Sequence, residues 1–107
     1  MATRKETIEF ILDQLAPLPV RARAMFGGHA LYCDEKVVAL IGDDTLFVKP
    51  AAATMELFGD GEMAPPYPGA KDYHVVADDQ LHDAEWLQSV IARTAEQLPM
   101  PKKKGHT

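Results

Sequence analysis

Arg21 and Arg23 stand two residues apart, just ahead of the run Met25-Phe26-Gly27-Gly28-His29-Ala30-Leu31-Tyr32-Cys33. These are the residues whose types and spacing could do chemistry. On one side of an extended segment, two guanidinium groups about 7 Å apart reach a single carboxylate or phosphate group. The adjacent glycines raise a second chemistry, the cradling of a phosphate. That requires a glycine-rich turn feeding the first turn of a helix, where N–H groups converge on the anion. The segment after Gly28 reads as a strand, and neither GxGxxG nor GxxxxGKS/T occurs. Gly27 and Gly28 are therefore expected at a bend between strands, with positive φ or with a neighbouring backbone pressed close. His29 and Cys33 share parity, but on a regular strand their Cα atoms are about 13 Å apart. That distance excludes both a shared metal and a thiolate–imidazole pair.

The remaining titratable residues form no catalytic pattern. His74 and His82 are isolated, and the His82-x-x-Glu85 spacing falls across a helix start where Glu85 complements the helix dipole. Asp43-Asp44 and Asp78-Asp79 are adjacent carboxylates in loop-like segments and read as turn formers or caps. No serine sits on an elbow, and no histidine has an evident orienting partner. A non-enzymatic protein is expected, with no catalytic, cofactor-binding or metal-ligating residues.

The elements that must position Arg21 and Arg23 emerge from length and pattern. The chain has 107 residues, 47% hydrophobic and 25% charged, the balance of one soluble globular domain. No apolar run approaches the ~20 residues of a membrane helix. The start, MATRKETIEF, lacks the apolar core of a secretory signal. A single cysteine forms no internal disulfide and supplies no thiolate set for zinc. A cytoplasmic location is the expectation. The net charge of -5 argues against a broad nucleic-acid contact, although Lys102-Lys103-Lys104 adds a small basic tail.

Thr3 and Glu6 have the spacing of a capping box, and Ile8, Ile11, Leu12 and Leu15 form one helical stripe that Pro17 ends. Alternation over residues 20–26, then short apolar runs over 29–33, 36–41 and 46–49 separated by Asp-rich turns, predict four strands in an antiparallel meander. Residues 51–58 read as a helix anchored by Met55 and Phe58, 59–70 as a Gly/Pro-rich loop, and 71–77 as a fifth strand. Asp83 caps a last helix with Leu87, Val90, Ile91, Thr94 and Leu98 on its buried stripe, close to Trp86. The expected domain is α+β, an antiparallel sheet of about five strands with helices packed on it, in the order α-β-β-β-β-α-β-α. It occupies 1–98, and 99–107 is a disordered basic tail.

The run Arg21-x-Arg23-x-Met25-Phe26-Gly27-Gly28, with Tyr32, Leu40-Ile41 and Leu46-x-Val48-Lys49 beyond it, resembles the N-terminal domain of TfoX/Sxy competence regulators. Tyr67-Pro68-Gly69 is similar to that family's aromatic-Pro-Gly segment, and the likeness spans roughly Val20 to Leu98. The resemblance implies a secretion-chaperone-like α+β fold without catalytic residues. It also implies a regulatory role exerted through protein–protein contact, with a partner similar to the cyclic AMP receptor protein. The C-terminal helical domain of longer members is not expected here. Arg21, Arg23, Met25, Phe26, Gly27, Gly28, Tyr32 and Lys49 are the candidate interaction residues. Two other readings stay open: direct DNA binding through Arg21, Arg23 and the lysine tail, or a small-molecule site near Gly27, His29 and Tyr32. A homodimer is also expected, because a small antiparallel sheet leaves edges to pair.

Overall fold

The computed structural model describes residues 4–25 and 28–98. The chain opens with helix α1 (Lys5–Gln14), whose buried residues are Ile8 and Ile11. Thr3, half of the expected capping box, lies outside the described residues. The N-cap is Arg4, in extended geometry and without a side-chain cap of its own. Four strands come next: β1 (Val20–Met25), β2 (Gly28–Cys33), β3 (Lys36–Gly42) and β4 (Thr45–Val48). They form the predicted antiparallel meander, with Val20 opposite Cys33, Leu31 opposite Ala39, and Ile41 opposite Leu46. The β2–β3 and β3–β4 links are two residues each, and all four linking residues have positive φ: Asp34 55°, Glu35 68°, Asp43 53° and Asp44 59°. That is the left-handed turn geometry whose twist matches a hairpin.

Helix α2 (Ala52–Phe58) then crosses to β5 (Met63–Ala64) and β6 (Tyr73–Val75), and short α3 (Asp78–Leu81) precedes α4 (Ala84–Gln97). The six-stranded sheet has the order β1-β2-β3-β4-β6-β5, antiparallel throughout. It is the expected α+β architecture with two additions. Strand β5 lies in the segment read as a loop, where two residues between Gly61 and Pro65 are too few to show alternation. Helix α3, at four residues, is too short to show an apolar period, and it puts Asp78 and Asp79 in a first helical turn rather than a loop.

The helices lie on one face. Helix α4 packs on β2 and β3, and α1, α2 and α3 pack against α4. Between them sits a core that includes Ile11, Leu15, Leu31, Ile41, Leu46, Val48, Leu87, Val90 and Ile91, each at most 1% exposed. Every such side chain contributes on the order of 1.5–3 kcal/mol by leaving water. In α2 the anchors are Thr54 and Phe58; Met55, expected to be buried, is 55% exposed. The Thr54 hydroxyl accepts the Ala51 N–H and donates to the Ala51 carbonyl, both at 2.9 Å. Turned inward for those bonds, Thr54 sets the buried stripe on the 54/58 face and leaves Met55 one residue, about 100°, outside it. Asp83 caps α4 as expected, accepting the Trp86 N–H at 3.2 Å.

Candidate functional site

Strand register sorts the candidate residues onto one face. Residues directly opposite in an antiparallel sheet share a face, and neighbours along a strand alternate. Leu31, Ala39, Val48 and His74 form one cross-sheet row, all buried. Lys36, opposite Cys33, reaches Ala95 of α4, so this parity faces the helices. The opposite parity carries Arg21 beside Tyr32, Arg23 beside Ala30, and the row Leu40, Phe47 and Val75. A β-bulge, in which Val38 is the extra residue, keeps both parities consistent across β2 and β3. Lys49 lies one step past β4, where its N–H extends the ladder to the carbonyl of buried Val38 at 3.0 Å.

The sequence candidates thus divide cleanly. Arg21, Arg23, Gly28 and Tyr32 share the helix-free face, and Lys49 lies just past the end of β4. Met25 pairs with Gly28 at the β1–β2 turn, and Phe26 and Gly27 lie outside the described residues, as does the lysine tail. Arg21 is held in two ways: its guanidinium sits 4.4 Å from the Tyr32 ring centroid, and Nη2 lies 3.3 Å from a Glu35 carboxylate oxygen. Arg23 is exposed and has no ion pair among the described residues. Lys49 is half-buried beside Val38, and burial pushes its ammonium pKa below the usual lysine range. Leu40, Phe47 and Val75 are half-buried on the same face as Arg21 and Arg23. Sequence reading missed that row, because KVVALI is apolar throughout and hides which residues point away from the helices.

Gly28 shows why a glycine stands there. A Cβ at this position would overlap the Ile41 carbonyl oxygen on β3. Close approach of two backbones, one of the two expected reasons, therefore requires it; Gly27 lies outside the described residues.

The other titratable groups serve packing. Cys33 is buried, and burial first, then the Asp34 carboxylate, pushes its thiol pKa up. His74 is 2% exposed and stacks on Phe58 at 4.4 Å, and Trp86 meets Phe58 edge-on at 5.1 Å. Neither His74 ring nitrogen has a hydrogen-bond partner among the described residues. Asp44 caps α1 from the β3–β4 turn. It accepts the Arg4 N–H at 2.9 Å and the Thr7 hydroxyl at 2.8 Å, and its pKa is lowered chiefly by the Arg4 backbone bond. A surface groove of about 240 Å³ beside that cap is lined by Arg4, Thr7, Phe10, Asp44, Leu81 and His82. Several of its polar groups are engaged with one another, Arg4 with Asp44 and His82 Nδ1 with the Asp78 carbonyl at 2.8 Å. Among the described residues no three His, Cys, Asp or Glu side chains converge to hold a metal, and no helix is long and apolar enough to cross a membrane.

Comparison with known proteins places the chain in a family. The TfoX N-terminal domain family matches residues 12–98, most of the chain and all of the sheet. A protein of Spirochaeta aurantia described as an uncharacterized 12.7 kDa protein in the trpE 5′ region is 46% identical over 105 residues. The aligned part covers 97% of this chain and 90% of that relative.

Proposed function

Because the chain belongs to the TfoX N-terminal domain family, we propose that it is a non-enzymatic regulatory module that docks an acidic protein surface on its helix-free sheet face. The partner is a component of transcription control, in keeping with the competence regulation associated with the family. One observation carries this reading: in a protein of net charge -5, Arg21 and Arg23 stand side by side on the sheet face that no helix covers among the described residues, the face that also carries apolar Leu40 and Phe47. Cations around a half-buried apolar row suit a partner with carboxylates around an apolar contact, since complementary charge steers association and fixes register. Arg21, pinned on the Tyr32 ring, presents its donors with little conformational freedom left to lose.

The test is capture of binding proteins from native lysate by the wild-type chain and by an Arg21→Glu/Arg23→Glu double variant of matched thermal stability. A stoichiometric protein retained by the first and lost from the second is the expected result. Equal retention by both overturns the assignment of this face. Capture of nucleic acid alone, with affinity falling steeply in salt, favours direct DNA binding through the same arginines instead.

A further inference from the structure

Among the described residues no strand pairs with the outer edge of β1, and the chemistry of that edge defines what fits. β1 is a terminal strand among the described residues, paired with β2 alone. The bond from the Asp34 N–H to the Pro19 carbonyl, 3.1 Å, fixes the parity of that ladder. Arg21, Arg23 and Met25 share the parity of Pro19, so their N–H and C=O groups turn towards β2, whereas Val20, Ala22 and Ala24 turn theirs outward. The Val20 N–H is used locally, by the Leu18 carbonyl at 2.8 Å. The N–H groups of Ala22 and Ala24, and the carbonyls of Val20, Ala22 and Ala24, have no partner among the described residues. Ala24 is itself exposed.

We propose that this edge receives an extended acidic segment of the partner protein as a seventh, antiparallel strand, with carboxylates at alternate positions opposite Arg21 and Arg23. The proposal rests on the protein-docking function above and adds its binding mode. Strand addition supplies affinity through main-chain hydrogen bonds, and side chains at every second position supply specificity. Here the incoming residues opposite Arg21 and Arg23 occupy non-hydrogen-bonded pairs, where side chains are closest, and they emerge on the helix-free face. The residue between them lies on the helix side, opposite Ala22, which packs against the edge of the core. Glu35 already shows the contact in outline, a carboxylate on Arg21; the incoming strand replaces it there and adds a second at Arg23. A second copy of this chain is a poor occupant. Antiparallel self-pairing centred on Arg21, Ala22 or Arg23 sets arginine directly opposite arginine, which is unfavourable.

The probe is a blocked nonapeptide alternating glutamate with valine, titrated into the whole chain while backbone amides are monitored by NMR. Expected are slowed hydrogen exchange at Ala22 and Ala24, and loss of binding when alternate peptide amides are N-methylated at unchanged charge. Ala24→Pro removes one outward donor without touching the bonds to β2, a place where edge strands accept proline. It is expected to weaken the peptide roughly tenfold while β1–β2 cross-peaks persist, and Glu35→Gln to strengthen it by removing the competing carboxylate. No peptide binding, or equal binding by the N-methylated peptide, overturns the edge mode. The two proposals fail separately. A lysate partner lost on arginine reversal but retained by Ala24→Pro leaves the docking function standing and removes strand addition. A partner indifferent to both removes the docking function as well.

Discussion

Gly28 and His74 show single residues set by opposite pressures. At Gly28 the backbone of β2 lies so close to the Ile41 carbonyl that no side chain fits. Gly28→Ala is therefore expected to destabilise the protein by roughly 1–3 kcal/mol, seen as a lower urea midpoint with unchanged slope. His74 fills its site well and satisfies it badly: stacked on Phe58, buried, and with both ring nitrogens unpartnered among the described residues. Burial pushes its pKa below the ordinary 6.5. The unfolded chain then binds the extra proton first, so the stability His74 contributes is full above about pH 6.5 and is lost as pH falls through the folded value. His74→Phe keeps the stack and removes the unpaired nitrogens. It is expected to raise the melting temperature, by about 1 kcal/mol of stability or more, and to flatten the stability profile below pH 6.5. A variant less stable than wild type at pH 7, with the slope intact, would refute this account.

Both long helices are completed by the sheet rather than by their own sequences. Helix α1 has no side-chain cap, and Asp44 of the β3–β4 turn takes that role. Helix α4 has no basic residue in its last turn, and Lys36 of β3 donates to the Ala95 carbonyl at 2.6 Å, placing positive charge where the helix dipole is negative. Asp44→Ala is expected to speed amide exchange in the first turn of α1 and leave α4 unaffected. Because the folded-state pKa of Asp44 is lowered, its contribution is present above the ordinary carboxylate range and is lost as pH falls through the folded value. The hairpin turns leave room for gain instead of loss. Asp34 and Glu35 hold left-handed conformations that asparagine and glycine adopt more readily. Asp34→Asn with Glu35→Gly is expected to raise stability by about 0.5–1 kcal/mol in thermal melts, even though the exposed Arg21–Glu35 pair is lost.

At the scale of the molecule, packing is uneven across the sheet. β2, β3 and α4 share the buried centre, while β5 contributes two residues at the far edge and α3 has no buried residue. Native-state hydrogen exchange is expected to rank them accordingly. Amides of β2, β3 and α4 exchange only on global unfolding, and those of β5 and α3 exchange through local opening at far lower cost. The two faces of the sheet then divide the labour: one carries the core, the other carries Arg21, Arg23 and the row Leu40, Phe47 and Val75.

Much of this was legible in the chain itself, because short-range chemistry has short-range signatures. Alternation in 20–25 and the Asp-rich turns set the meander, Asp83 announced α4, and the 3.6-residue stripe named Leu87, Val90, Ile91 and Thr94. The two-residue β5 and four-residue α3 were too short to carry a period, and Met55 was misplaced because a hydroxyl bonding its own backbone outweighed a larger apolar side chain. The sequence alone determined residue types, strand parity and the presence of a positively charged pair. Tertiary structure decided which parity meets the helices, because that depends on where α4 lies across the sheet. It also put Leu40 and Phe47 on the face of Arg21 and left the edge of β1 without a partner strand among the described residues, since both depend on the order in which distant strands pair.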